Sequence, residues 1–259
     1  MINIIKISKK FDEYVLNYDP TNPRIKLKID HIKRVASNSK IISENLNLSE
    51  EQKNLAIAIG FFHDIGRFEQ VRIANTFSDK ESKINHGEMS VKVLFENNFI
   101  REFIEDKKYD EIIKKAILNH NKPAIDTNLT DEENLFCKII RDADKIDIFY
   151  TISQEKYSME SIFWYPNFDN YEISEKIIEE FNKKITIDYS LIHTNSDVIT
   201  IFYAYLYDLY FSISKDIIKN NKYLEKFTQR VINKFSSPKV HEQTKELLKK
   251  ALIYLQDKE

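Results

Sequence analysis

The stretch Phe61-Phe62-His63-Asp64-Ile65-Gly66-Arg67 decides how this chain is read, because it ends the apolar run Leu55-Ala56-Ile57-Ala58-Ile59-Gly60-Phe61-Phe62 on an imidazole and a carboxylate. A run of that composition at a helix end predicts burial, and a buried carboxylate without a partner is strongly unfavourable, so Asp64 calls for a cation. Working outward, His31 lies upstream and His86, His120 and Asp144 lie downstream, so six nitrogen and oxygen donors occur in order between residues 31 and 144. Four of the six histidines belong to this set, and each of the three glycines (Gly60, Gly66, Gly87) falls within three residues of a member. The tight backbone positions therefore gather at the same place as the donors, which predicts a functional site.

Only 3 Gly and 5 Pro punctuate 259 residues, and the chain is rich in Lys, Glu, Ile, Leu and Asn, a composition that predicts an all-α fold. Ile32, Val35, Ile42 and Leu46 recur at helical spacing from Asp30 to about Leu46. Ser49, with Gln52 three residues later, predicts a capped helix running to His63, with Gly66 as its stop. Asn85, Asp110 and Thr130 are expected to cap three further helices. The polar stretches from Arg72 to Ile84 and from Asn121 to Asn128 predict loops over a site, one of them suited to act as a lid. Beyond residue 150, helices are expected at roughly 172–186, 196–220, 222–235 and 239–256, with breaks around Tyr165-Pro166 and Ser236-Ser237-Pro238. The aromatic run from Phe202 to Phe211 reads as core packing rather than a pocket wall. Residues 1–150 form the expected metal-binding core and 151–259 a helical extension packed on it, since no Gly/Pro/Ser-rich linker lies near residue 150.

A hydrophobic content of 42% with 31% charged residues suits a globular protein. The formal net charge of −2, with lysines interspersed among acids, lacks the basic stripe of a nucleic-acid or membrane-surface binder. The single cysteine, Cys137, forms no intrachain disulfide, and no stretch approaches the roughly 20 apolar residues of a membrane span. These features predict a cytoplasmic protein, as a monomer or an oligomer.

Imidazole and carboxylate suit Mn, Fe, Zn or Co, and the lack of thiolates beyond Cys137 argues against a cysteine-based structural zinc site. His120 falls on the apolar face of Ile112, Ile113, Ala116 and Ile117, and Asp144 follows Phe136 and Ile140 on one stripe. Neighbouring helical residues point about 100° apart, so His63 and Asp64 are placed to straddle two ions rather than to grip one side by side. With Asp64 bridging, one ion would take His31, His63 and Asp144, and the other His86 and His120. His193 and His241 lie outside the set and read as structural or solvated.

This order of ligands resembles the HD superfamily of metal-dependent phosphohydrolases. The carrying segments are Asp30-His31, Phe62-His63-Asp64-Ile65-Gly66-Arg67, Asn85-His86-Gly87-Glu88, Leu118-Asn119-His120-Asn121 and Arg141-Asp142-Ala143-Asp144-Lys145-Ile146-Asp147, within residues 25 to 150. The resemblance implies an HD-domain helical bundle with additional C-terminal helices, and His86 and His120 resemble the ligands of its binuclear branch. Either acid of Asp142-Ala143-Asp144 can be the ligand; the resemblance favours Asp144, and the apolar stripe agrees. No Gly-Tyr-Pro follows His120 and no Glu-Asp pair follows His63-Asp64, so neither the cyclic-dinucleotide phosphodiesterases nor the alarmone hydrolases of the superfamily are matched. In this superfamily appended helices often build the substrate pocket, a part that residues 151–259 are expected to share.

The resemblance implies two divalent ions, Mn or Fe first and Zn, Co or Ni as alternatives, and a small phosphorylated, nucleotide-like substrate. Two ions about 3.5–4 Å apart would polarise a phosphoryl oxygen and activate a water for cleavage of a phosphoester or pyrophosphate bond. Asp64 is then the central catalytic ligand, and Arg67 and Lys145 are the cations expected to act on the phosphate, Arg67 through its fork and Lys145 as a point charge. The same ligands also resemble those of di-iron oxygenases in the superfamily, and a catalytically silent nucleotide sensor is a third reading.

Overall fold

The structure, a computed structural model, describes residues 2–96, 98–165, 168 and 171–256, and every regular element among them is helical. The chain divides into two compact units, Met1–Asp144 and Lys145–Glu259. In the first, α1 (Ile4–Val15) packs on α3 (Glu50–Phe62), which also lies along α2 (Pro23–Asn45); α4 (Gly66–Ala74) packs on α6 (His86–Phe95), with the short α5 (Asp79–Ser82) between them in sequence. The short α7 (Ile100–Phe103) packs on α1, and α8 (Asp110–His120) packs on α6 and α3. Helix α9 (Asp131–Ser153) runs through the boundary between the units.

Caps set most of these limits. Ser49 and Gln52 form the expected capping box at α3, and the Asn85 carboxamide oxygen accepts from the Gly87 and Glu88 amides at α6. At α9 the Glu133 amide donates to Thr130 Oγ1 (3.2 Å) while Glu133 Oε2 accepts from the Thr130 amide (2.8 Å). Asp110 is the first residue of α8 rather than its cap. Helix α2 starts seven residues earlier than its apolar spacing indicates, because Asn22 caps it and Pro23 supplies a pre-set φ at its first position. Two expectations for residues 66–84 are corrected. Gly66 does not stop α3 but opens α4, and Arg72 lies inside α4, which ends at Asn75 in a left-handed turn (φ 50°).

Two glycines allow the helices that carry the donors to approach. A Cβ at Gly60 would lie 2.6 Å from Ala36 Cα on α2, and one at Gly66 would lie 2.3 Å from the Ser90 amide nitrogen on α6. Gly66 is therefore required for contact rather than for a positive φ, and its own amide donates to Ser90 Oγ at 2.9 Å. Around these crossings Phe11, Ile32, Val35, Ile59, Phe62, Phe68, Ile113 and Phe136 are fully buried, at about 1.5–3 kcal/mol for each large apolar side chain. The first half of α9 is tied in by polar contacts: Asn38 Nδ2 donates to the Ala143 carbonyl (3.0 Å), and the buried Arg141 donates to the carbonyls of Asn119 (2.8 Å) and Lys122 (2.6 Å).

The second unit holds the short α10 (Met159–Ile162), α11 (Glu175–Asn182), α12 (Asn195–Ala204), α13 (Ser212–Asn220), α14 (Tyr223–Lys234) and α15 (Pro238–Tyr254). Its core contains Phe163, Phe181, Val198, Phe202, Tyr203, Phe227 and Leu247, so the aromatic run packs largely as core, although Tyr210 is exposed. The single helix expected over 196–220 is two helices, because Tyr205–Asp208 tightens into a 3-10 turn that directs Asp208 to Lys145. Pro238 follows the Ser237 cap as expected, whereas Pro166 of the other expected break lies outside the described residues. No described helix is long and apolar enough to cross a membrane.

Gly66→Ala is expected to force α4 and α6 apart and lower stability by about 1–3 kcal/mol, read as a fall in the urea midpoint; an unchanged midpoint would contradict the close approach.

Candidate metal centre

Four of the six donors sit at helix ends or in the turn between helices, where the backbone delivers them inward; His31 projects from the middle of α2 and Asp144 from within α9. His63 and Asp64 follow α3, His86 opens α6, and His120 closes α8. Asp144 lies inside α9 on the stripe expected for it. His63 is fully buried, and His31, Asp64, His86 and His120 are each less than a tenth exposed.

The structure brings all six together in two groups that meet at Asp64. Asp64 Oδ2 lies 3.4 Å from His31 Nε2 and 3.7 Å from His63 Nε2. Asp144 Oδ1 completes that group at 3.2 Å from His31 Nε2 and 3.8 Å from His63 Nε2. The other carboxylate oxygen, Asp64 Oδ1, lies 3.6 Å from the Nε2 atoms of both His86 and His120, which are themselves 3.0 Å apart. Ligands that share one ion at bonds of about 2.0–2.1 Å stand about 3.0–3.4 Å apart, so both groups have nearly the spacing of a coordination shell. His31, His63 and Asp64 form one possible ion-holding set, and Asp64, His86 and His120 a second.

Hydrogen bonding on the far side of the rings shows why these atoms fit a cation. His63 Nδ1 donates to the Gly60 carbonyl (2.8 Å), His120 Nδ1 to the Ile117 carbonyl (2.6 Å), and His86 Nδ1 to Asp79 Oδ2 (2.6 Å). Each acceptor offers only lone pairs, so each ring carries its proton outward and turns a bare Nε2 inward. At the second group two such nitrogens and Asp64 Oδ1 converge. Asp64 Oδ1 is buried and has no hydrogen-bond partner among the described residues. Three lone-pair atoms facing one another repel unless a cation lies among them, and the donor set therefore fits a divalent ion at each half.

Electrostatics agree. Burial lowers His63 to about 3, and burial with the Arg67 charge lowers His86 to about 4, which keeps both imidazoles in the ligating form at neutral pH. Burial opposes ionisation of Asp64, yet the charges of Lys28 and Arg67 hold its carboxyl well below the usual carboxylate range. Asp144 also overcomes burial and lies far below its usual value through its contact with His31.

The two cations assigned to phosphate are placed differently. Arg67 lies in the site: its Nε is 3.5 Å from Asp64 Oδ1, and its Nη1 donates to Gln70 Oε1 (2.7 Å) and Asp79 Oδ1 (2.9 Å). Lys145 is turned to Asp208, Nζ to Oδ2 2.5 Å, with both side chains only 8% exposed. A buried carboxylate already meets its charge.

Two further residues have clear places here. Lys28 Nζ lies 2.5 Å from Asp64 Oδ2 and 5.4 Å from the centre of the Phe77 ring. It stands three residues before His31 and hence on the same helical face, a signal hidden when the helix is started at Asp30. Asp79, in the polar stretch between α4 and α6, follows no periodic pattern that reveals it. His193 is exposed, and His241 Nε2 contacts the Phe235 carbonyl (2.5 Å), as expected for residues outside the set.

Two predictions follow from this geometry. Asp64→Ala is expected to abolish uptake of both ions in calorimetric titration with Mn²⁺ while far-UV circular dichroism is retained; two ions bound by the variant would refute a shared ligand. In the metal-free protein, His63 and His86 bind protons less readily folded than unfolded, where histidine titrates near about 6.5. Stability is therefore complete above that value and falls as pH drops from about 6.5 toward 4, so the urea midpoint should decrease between pH 7 and pH 5.

Residues 29–148 match the family model of the HD domain, a segment that contains all six donors. No curated protein and no solved structure matches the chain. The family match, together with the ordered His, His-Asp, His, His, Asp set drawn together around Asp64, identifies residues 29–148 as an HD domain.

Proposed function

We propose that this protein is a metal-dependent phosphohydrolase that cleaves a phosphoester or pyrophosphate bond in a small, nucleotide-like substrate. The observation that carries the reading is the division of Asp64, with one oxygen facing His31, His63 and Asp144 and the other facing His86 and His120. Divalent ions held there, Mn or Fe by preference, would supply Lewis acidity that polarises a phosphoryl oxygen and lowers the pKa of an attacking water.

The chain's own residues do the rest. Asp64 and Asp144 stay ionised at neutral pH and so serve as anionic donors, not as proton carriers. His63 and His86 keep their inward nitrogens unprotonated for the same purpose. Lys28 and Arg67 border Asp64 and give the site positive charge beyond the ions, suited to an oxyanion that gains charge as its bond breaks. Lys28 adds a point charge beside Asp64 to those expected from Arg67 and Lys145, and Lys145 also forms a buried ion pair with Asp208. Lys28 and Arg67 favour phosphate over the di-iron oxygenase chemistry that the same ligands can support.

Anaerobic assay of the Mn²⁺-loaded and Fe²⁺-loaded protein against nucleotides, dinucleotides and phosphomonoesters is expected to give turnover that Asp64→Ala abolishes. Consumption of O₂ without phosphate release would transfer the assignment to the oxygenase. Lys28→Gln should raise KM about 10-fold or more through loss of a charged hydrogen bond, and unchanged kinetics would exclude its contact with phosphate.

A further inference from the structure

Four polar contacts converge on Asp79, a residue outside the ligand set. Asp79 Oδ2 accepts from His86 Nδ1 at 2.6 Å and from the His86 amide at 3.3 Å. Its Oδ1 accepts from Arg67 Nη1 and from Gln70 Nε2, both at 2.9 Å. Gln70, wholly buried, also donates to Ser82 Oγ (2.9 Å) and the Ile84 carbonyl (3.2 Å), which fastens the stretch carrying Asp79 to α4. Asn121 Nδ2 approaches the same His86 nitrogen at 3.4 Å, but its shorter contact is to Asn85 Oδ1 at 3.1 Å. The carboxylate at 2.6 Å is by far the closer group and decides where the ring proton sits.

We infer that Asp79 is the positioning residue of the His86/His120 half of the centre, fixing the His86 tautomer so that Nε2 is free to ligate. The inference rests on the metal-centre reading above and adds an asymmetry to it. His63 and His120 are oriented by carbonyls within their own turns, and hence by the helix itself. His86 is oriented by a carboxylate from the preceding segment, so only this half depends on how residues 76–84 fold. A carboxylate is acceptor-only on both oxygens, as all four contacts require. Asparagine cannot replace it: with its oxygen toward Arg67 and Gln70 its NH₂ faces His86 Nδ1 and favours the Nε2–H tautomer, and the reverse orientation sets NH₂ against two donors. An ionised partner also makes the ring a stronger donor to the ion, an effect worth about 10–100-fold in metal affinity.

The test is calorimetric titration of the full-length, metal-free protein with Mn²⁺ alone. Wild type is expected to bind two ions, and Asp79→Asn to keep one while the other weakens by about 10–100-fold. Asp79→Glu, which restores an acceptor-only group, should recover part of the second site, a rescue that a merely structural role would not predict. Two ions bound with unchanged affinity by Asp79→Asn would overturn the positioning role alone. Failure of wild type to take up Mn²⁺ would overturn the metal-centre reading and this role with it. Because Asp79→Asn could fail to fold, the His86 tautomer is read independently by long-range ¹H–¹⁵N spectra of the metal-free wild type at neutral pH, with His86→Gln for assignment. An Nδ1–H signal is expected, and an Nε2–H signal would overturn the inference.

Discussion

The structure of the first unit turns on one buried carboxylate. Asp64 is 3% exposed, and each of its two oxygens faces a separate pair of imidazole nitrogens. An anion in that position needs compensation from every side, and the surrounding chain supplies it as Lys28, Arg67 and the two donor groups. Several features of the fold meet this need. Gly60 lets α3 approach α2 so that His63 reaches His31, and Gly66 lets α4 approach α6 so that His86 comes within reach of Asp64. The constraint runs from backbone contact to helix crossing to the spacing of ligands.

The donors are held rigidly, as metal chemistry requires. Three of the imidazoles have their outward nitrogen engaged by a carbonyl or a carboxylate, which sets ring orientation and proton position together. The cluster is electrostatically poor by itself, since bare nitrogens and an unpartnered oxygen are gathered in a buried space. A protein core retains such an arrangement where function demands it, and here the fold holds the strain ready for cations. Lys28 and Arg67 add positive charge at Asp64, and an anionic substrate is the natural complement to that charge once the carboxylates are shared with ions.

The helical class, the capped starts of α3, α6 and α9, and the six donors were legible in the sequence because each rests on local information. Capping needs residues three positions apart, an apolar stripe needs a period of 3.6, and a buried charge on such a stripe is conspicuous wherever it falls. Where local signals competed, the reading diverged from the structure. Gly66 resembled a helix stop, but its role is contact with Ser90 across 24 residues. Lys145 was legible as the neighbour of Asp144, whereas its ion pair with Asp208, 63 residues away, was not. Asp79 and Lys28 matter only through what they face.

The sequence by itself determined the kinds of ligand, their order and the helices that carry them, since these are properties of residue type and short-range spacing. It also determined that Asp64 must meet positive charge, because its apolar flank dictates burial. Only the tertiary structure decided which oxygen of Asp64 faces which histidines, which proton each ring carries, and which cations stand beside the cluster. Those outcomes depend on contacts between segments tens of residues apart, whose distances are set by helix packing and for which the linear chain has no period.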